Sequence, residues 1–234
     1  MKDVFTVVCQ QLAQLRSKGA IDVEVYEQKL NNNANDENNL KNHMAEGRAA
    51  LLFLNNGFTV KMRESPDLEI AFNGETVYVE VKRFRPKEQD ILDEKAMEEQ
   101  ARKYRNSGNE EDNILVAIGD TAVTEGKPVW AQMADVAQSK VGQYREDAPN
   151  ILIIESDSDS TEATLTSAAH EVEDRIHEGQ DARLHKLNAM ILINCGLYTV
   201  GRDGPYNVEF CLLATGMTQM SHEIGQRVAT IKLG

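Results

Sequence analysis

The sequence predicts an α/β fold in which a mixed central sheet is flanked by helices. Three observations lead there. Residues 65–82 read as a β-hairpin, because Asn73-Gly74, the strongest short-range signal for a type I′ turn, lies between two β-prone runs. Short continuous apolar runs at 114–118, 151–154 and 190–193 have the character of strands covered on both faces, and helical segments at about 128–145 and 162–178 separate them. Apolar residues also recur at helical spacing near the start of the chain.

Val4, Val7, Val8, Leu12 and Leu15 place an amphipathic helix over 3–17, and a second helix follows over 21–30. The asparagine-rich run 31–39 reads as a polar loop, since Asn favours turns and caps, or as a helix break close to the substrate. The next helix carries Glu46 with Ala50 and Phe53, and Asn56-Gly57 stops it. A strand from Phe58 leads to Pro66 and the hairpin. With the turn closed at Asn73-Gly74, Phe72 faces Glu75, Ile70 faces Val77, Leu68 faces Val79 and Asp67 faces Glu80. Strand alternation then puts Leu68, Ile70, Phe72, Val77, Val79 and Val81 on a core face. Asp67, Glu80 and Lys82 gather on the other, with Glu69 and Tyr78 alongside.

The charged segment 87–105 reads as a helix, and 208–214 as a last strand after a turn at 201–205. The hairpin belongs at the antiparallel end of the sheet. A helical segment, 1–38, precedes a domain over 39–234 with a C-terminal α/β extension, and the two read together as one compact unit.

Composition sets limits on function. Of 234 residues, 41% are hydrophobic and 27% charged, the balance of a soluble globular protein. No apolar run approaches a membrane span, and the first residues lack the regions of a secretion signal, so a cytoplasmic protein is expected. Cys9, Cys195 and Cys211 read as small buried thiols rather than a disulfide frame. The net charge of −13 runs against a basic nucleic-acid footprint. Local clusters offset it: Lys82, Arg83, Arg85 and Lys87, then Arg102, Lys103 and Arg105.

Several patterns are set aside. His170, Asp174 and His177 share a helix face, but neighbouring Glu171, Glu173 and Glu178 make it a solvated one. Asp157 and Asp159 suit a loop entering a helix, and Trp130 and Met133 suit core. Neither a phosphate-binding glycine loop nor a nucleophile elbow is present.

The hairpin proposes chemistry. Two carboxylates face to face repel unless a cation lies between them. Mg²⁺ is held by a few carboxylate oxygens plus retained waters. Such an ion acidifies its water and steadies charge on a phosphoryl group, while an adjacent lysine orients or deprotonates that water. Pro66-Asp67 followed by Glu80-Val81-Lys82 resembles the PD-(D/E)xK nuclease superfamily, of restriction-endonuclease-like fold. In that family an acid on the preceding helix often completes the metal site, which here points to Glu46, with Glu37 a second candidate. Gln100 and Tyr104, four apart, are similar to the Q-x-x-x-Y pattern of its RecB-like branch. The resemblance covers 39–118.

It implies a Mg²⁺- or Mn²⁺-dependent endo- or exodeoxyribonuclease of repair, restriction or defence, acting on DNA rather than RNA. Asp67, Glu80, Glu46 and the Val81 carbonyl would hold the metal. Lys82 would assist the reaction, and Gln100, Tyr104, Arg83 and Arg85 would meet the substrate. A homodimer is a common arrangement in such nucleases. The competing expectation is an inactive module of the same fold that binds a protein partner, favoured by the acidity. A small-molecule or nucleotide enzyme centred on the strands at 114, 151 and 190 is a third.

Overall fold

The computed structural model describes residues 4–85, 127–156, 162–194, 207–213 and 220–231. Gln100, Tyr104, Lys87, the segment 87–105, the run at 114–118, Asp157, Asp159, Cys195 and the turn at 201–205 lie outside these.

Three helices come first: α1 (Val4–Ser17), α2 (Val23–Asn32) and α3 (Glu37–Asn55). Strands β1 (Thr59–Met62), β2 (Leu68–Phe72) and β3 (Glu75–Phe84) follow, then α4 (Val129–Ser139), β4 (Asn150–Ser156) and α5 (Glu162–His177). A 3₁₀ turn (Ala182–Lys186), β5 (Leu187–Asn194), β6 (Asn207–Leu212) and α6 (His222–Ala229) complete the described chain.

Among the described residues the strands form one six-stranded sheet in the order β1-β2-β3-β4-β5-β6. β1, β2 and β3 pair antiparallel, β3–β4 and β4–β5 pair parallel, and β6 returns antiparallel to β5. The fold is therefore α/β with a mixed sheet, and the hairpin sits in the antiparallel part at one end, while β6 makes the other end antiparallel as well. The registers Leu68↔Val79, Ile70↔Val77 and Phe72↔Glu75 are those expected from the turn. Asn73 and Gly74 have φ of 48° and 84°, the positive values that a type I′ turn requires at both central positions.

Strand alternation sorts the core into two layers. Val77, Val79 and Val81 of β3, Ile151 and Ile153 of β4, and Ala189, Ile191 and Ile193 of β5 face α1, α2, α3 and α6. Leu152, Ile154, Met190, Leu192 and Phe84 face α4 and α5. β4 and β5 are thus covered on both faces, which is why their sequences are continuously apolar. Leu12 and Leu15 of α1 and Tyr26 and Leu30 of α2 join the same core as α3 and the sheet, so the N-terminal helices are built into the domain.

Four expectations need correction. The run 31–39 is a helix break rather than a full loop: α2 continues through Asn32, residues 33–36 turn, and Asp36 caps α3 by accepting from the backbone N–H of Asn38 and Asn39. Cys9 is exposed rather than buried, because it lies off the Val8–Leu12–Leu15 stripe of α1, and Cys211 is only part-buried; neither forms a disulfide among the described residues. Met133 is fully buried, whereas Trp130 is only half-buried against the same cluster. The helix expected over 128–145 ends at Ser139. His170, Asp174 and His177 are exposed, as a solvated face requires.

A candidate acid site between two lysines

The hairpin sets the site. Val79 and Val81 point into the α3 layer, so Glu80 and Lys82 emerge on the α4 side of β3. Asp67 stands one residue before the first β2–β3 pair, Leu68↔Val79, and its Oδ2 accepts the Val81 backbone N–H at 3.0 Å. Asp67 and Glu80 are both buried, Glu80 at 2% exposure. Glu46 is buried on α3, where Ala45, Ala49 and Phe53 pull that face inward.

Lysines separate these acids. Lys29 of α2 places Nζ 2.9 Å from Glu46 Oε2 and 3.0 Å from Asp67 Oδ1. Lys140, capping α4, places Nζ 2.5 Å from Glu80 Oε1. The other Glu80 oxygen, Oε2, is buried without a hydrogen-bond partner. Burial, then the negative charge of Asp67, push the Glu80 carboxyl up to about 7, with Lys140 opposing. Lys29 is held above its ordinary value: burial acts to lower it, and the charges of Asp67 and Glu46 more than compensate.

A relay of hydrogen bonds fixes Glu46. Asn33 Nδ2 contacts the Lys29 carbonyl at 2.9 Å and His43 Nε2 at 3.1 Å. Asn33 donating to Nε2 leaves the imidazole proton on Nδ1, which lies 2.7 Å from Glu46 Oε1. Glu37, the other helix acid considered, is exposed and pairs with Lys41, away from the buried acids.

Lys82 is part-buried and makes no hydrogen bond or ion pair with the described residues. It lines a cleft of about 580 Å³ with Arg83, Arg85, Lys127, Asn38 and Asn42. Asp135 also lines it and pairs with Lys127, while Arg85 donates to Asn38 Oδ1 at 3.3 Å. The cationic run read from the sequence therefore opens onto a cleft, although the molecule is acidic overall. Glu69 and Tyr78 are occupied elsewhere: Arg63 pairs with Glu69, and the Arg63 and Arg145 guanidinium carbons lie 5.5 and 5.4 Å from the Tyr78 ring centre.

Among the described residues no three His, Cys, Asp or Glu side chains are grouped as a metal site. The donor set nonetheless suits a hard divalent ion: carboxylate oxygens close together, one of them orphaned in a buried position. Asp67 and Glu80 lie together, and Glu46 joins them through Lys29 rather than by contact.

Sequence reasoning missed Lys29, His43 and Lys140, and a buried pair in which Arg48 grips Glu155 of β4, Nε to Oε2 at 2.7 Å. Two had a visible signal. Lys29 lies three residues past Tyr26 on the buried stripe of α2, and His43 lies three before Glu46 on α3. Lys140 and the Arg48–Glu155 pair had none, because each joins elements distant in sequence.

No protein-family model, curated protein or solved structure matches the chain.

Proposed function

We propose that the chain is a Mg²⁺- or Mn²⁺-dependent nuclease that hydrolyses phosphodiester bonds in DNA, serving repair, restriction or defence in the cytoplasm. The observation that carries this reading is the buried pair Asp67 and Glu80, with Glu80 Oε2 unpartnered, beside a lysine that opens onto a cationic cleft. Burying a carboxylate oxygen without a partner is costly, and a cation relieves that cost. Asp67, Glu80 and the Val81 carbonyl would hold the ion, with Glu46 completing the set. When bound, the ion supplies a more acidic water and charge neutralisation at the phosphoryl group.

The protein's own groups do the rest. Lys82 counters charge that develops on the phosphate, where a positioned cation acts most strongly. Arg83, Arg85 and Lys127 hold the backbone of the nucleic acid through its phosphates, which needs no base contact. His43 and Asn33 keep Glu46 in place. Gln100 and Tyr104 keep their proposed role beside the substrate.

The test is cleavage of linear, supercoiled and single-stranded DNA and of RNA in Mg²⁺, Mn²⁺ or EDTA. Wild type is compared with Glu80→Gln and Lys82→Ala. Metal-dependent cutting of DNA that is lost in both variants supports the reading. Cutting that survives both substitutions removes the site assignment.

A second reading draws on a specific observation. Lys29 and Lys140 already neutralise much of the acid cluster, and the net charge is −13, so an inactive module that binds a basic protein keeps the same fold. Metal-independent complex formation, unaffected by Glu80→Gln, distinguishes it.

A further inference from the structure

We infer that Lys29 is a resident counter-cation of the acid cluster, and that a divalent ion loads by displacing its ammonium from between Glu46 and Asp67. The inference deepens the nuclease reading and rests on it.

Geometry leaves few other routes. Lys29 Nζ contacts Glu46 Oε2 at 2.9 Å and Asp67 Oδ1 at 3.0 Å, with its side chain only 10% exposed. The remaining oxygens are taken as well, Glu46 Oε1 by His43 and Asp67 Oδ2 by the Val81 N–H. The ammonium fills the space between the two carboxylates, so an ion that joins Glu46 to Asp67 exchanges with it.

Charge favours the exchange. With all three acids ionised, Glu46, Asp67 and Glu80 face two ammonium groups, those of Lys29 and Lys140. One negative charge is left over, and the unpartnered Glu80 Oε2 is where the structure shows the deficit. Replacing one ammonium by a divalent ion removes that excess. The ammonium stem is long and flexible, so it can swing while α2 stays anchored by Val23, Tyr26 and Leu30.

The consequence for the N-terminal helices is specific. α2 contributes a residue that holds the site closed on itself until metal arrives, which makes Lys29 a positioning residue that competes with the ion.

Titration calorimetry with Mn²⁺ alone, on the full chain freed of metal by chelator and dialysis, tests this. Lys29→Met keeps the stem length and removes the charge. It is expected to tighten Mn²⁺ binding by about tenfold or more, because the ion no longer expels an ammonium held by two charge-assisted hydrogen bonds. In EDTA the same variant melts below wild type, and Mn²⁺ raises its melting temperature by more than it raises that of wild type. Equal or weaker Mn²⁺ binding by Lys29→Met overturns the inference.

Glu80→Gln separates the two claims. If wild type binds Mn²⁺, Glu80→Gln abolishes binding and Lys29→Met leaves the affinity unchanged, the Lys29 inference alone fails. If neither wild type nor Lys29→Met binds Mn²⁺, the metal reading fails and takes the inference with it. Should Lys29→Met not fold in chelator, Lys29→Arg supplies the readout. Its guanidinium fork grips both carboxylates and weakens Mn²⁺ binding, and an unchanged affinity is again a refutation.

Discussion

Gly47 sits in the middle of α3, next to Glu46, where a glycine costs helix stability relative to alanine. Its reason lies across the helix interface. A Cβ at this position would lie 2.6 Å from Gln11 Cδ and 2.7 Å from Gln11 Nε2, and closer still to Tyr26 Oη. Those atoms have nowhere to go: Tyr26 is fully buried, its hydroxyl donates to Gln11 Oε1 at 2.7 Å, and Gln11 Nε2 donates to the Met44 carbonyl at 3.0 Å. Gly47→Ala gains about 1 kcal/mol of helix propensity. Against that stand overpacking of about 1–3 kcal/mol and weakened buried hydrogen bonds at about 1 kcal/mol each. The net expectation is a loss of about 2 kcal/mol, or about 4–8 °C in Tm for a chain of this size. Gly225→Ala in α6 is the control, since a Cβ there meets nothing within 4 Å, and it should stabilise by up to about 1 kcal/mol. Urea unfolding followed by far-UV circular dichroism reads both, with the slope checked for constancy. A Gly47→Ala midpoint equal to or above wild type would refute the close-approach argument, and most decisively if Gly225→Ala rises as expected.

Three further outcomes are expected. Glu80 is raised from 4.5 to about 7 in the folded protein, so between those values the unfolded chain has released a proton that the folded one keeps. Stability therefore falls as pH rises through that window, and Glu80→Gln removes that part of the slope. Urea midpoints in chelator from pH 4 to 8 should show the variant gaining on wild type as pH rises, and parallel profiles would refute the assignment. Lys82→Ala should abolish metal-dependent cleavage while changing the unfolding free energy from urea titration by less than about 0.5 kcal/mol, because the Lys82 side chain has no partner among the described residues; a large stability loss would mean a structural role. Arg48→Met strands the Glu155 carboxylate, 2% exposed, and should cost about 3–5 kcal/mol, whereas Arg48→Met with Glu155→Leu should recover most of it. A double variant no more stable than the single one by calorimetry would count against that pairing.

The hairpin was legible because its information is local. A two-residue turn with positive φ fixes the register, and the register fixes which side chains share a face. Asp67 and Glu80 follow without knowledge of any other element. The runs at 151–154 and 190–193 were legible for a related reason, as doubly covered strands carry little but apolar residues. The break in 31–39 is shorter than the loop reading because asparagine preference for turns competes with capping, and Asp36 settles the competition by starting α3 there. The lysines could not be tied to the acids from sequence, although Lys29 showed its place on the buried stripe of α2. Lys29 lies 38 residues from Asp67, and Lys140 lies 60 from Glu80, and no pattern within one element ties such positions together.

β3 is a seam. On one side it is stitched to β2 by a turn of two residues, and on the other to β4, whose first residue, Asn150, follows only after the whole stretch 85–149. The first contact closes a short loop at little entropic cost, whereas the second must wait for a long one. The two halves of the site therefore belong to different moments of folding. Asp67 meets Glu80 as soon as the hairpin zips. Lys82 and Arg83 acquire fixed positions only when Ile154 and Glu155 arrive beside them. A nascent chain thus assembles its acids before its cleft, and the cleft that Lys82 and Arg83 line becomes a late-stage property of the completed sheet.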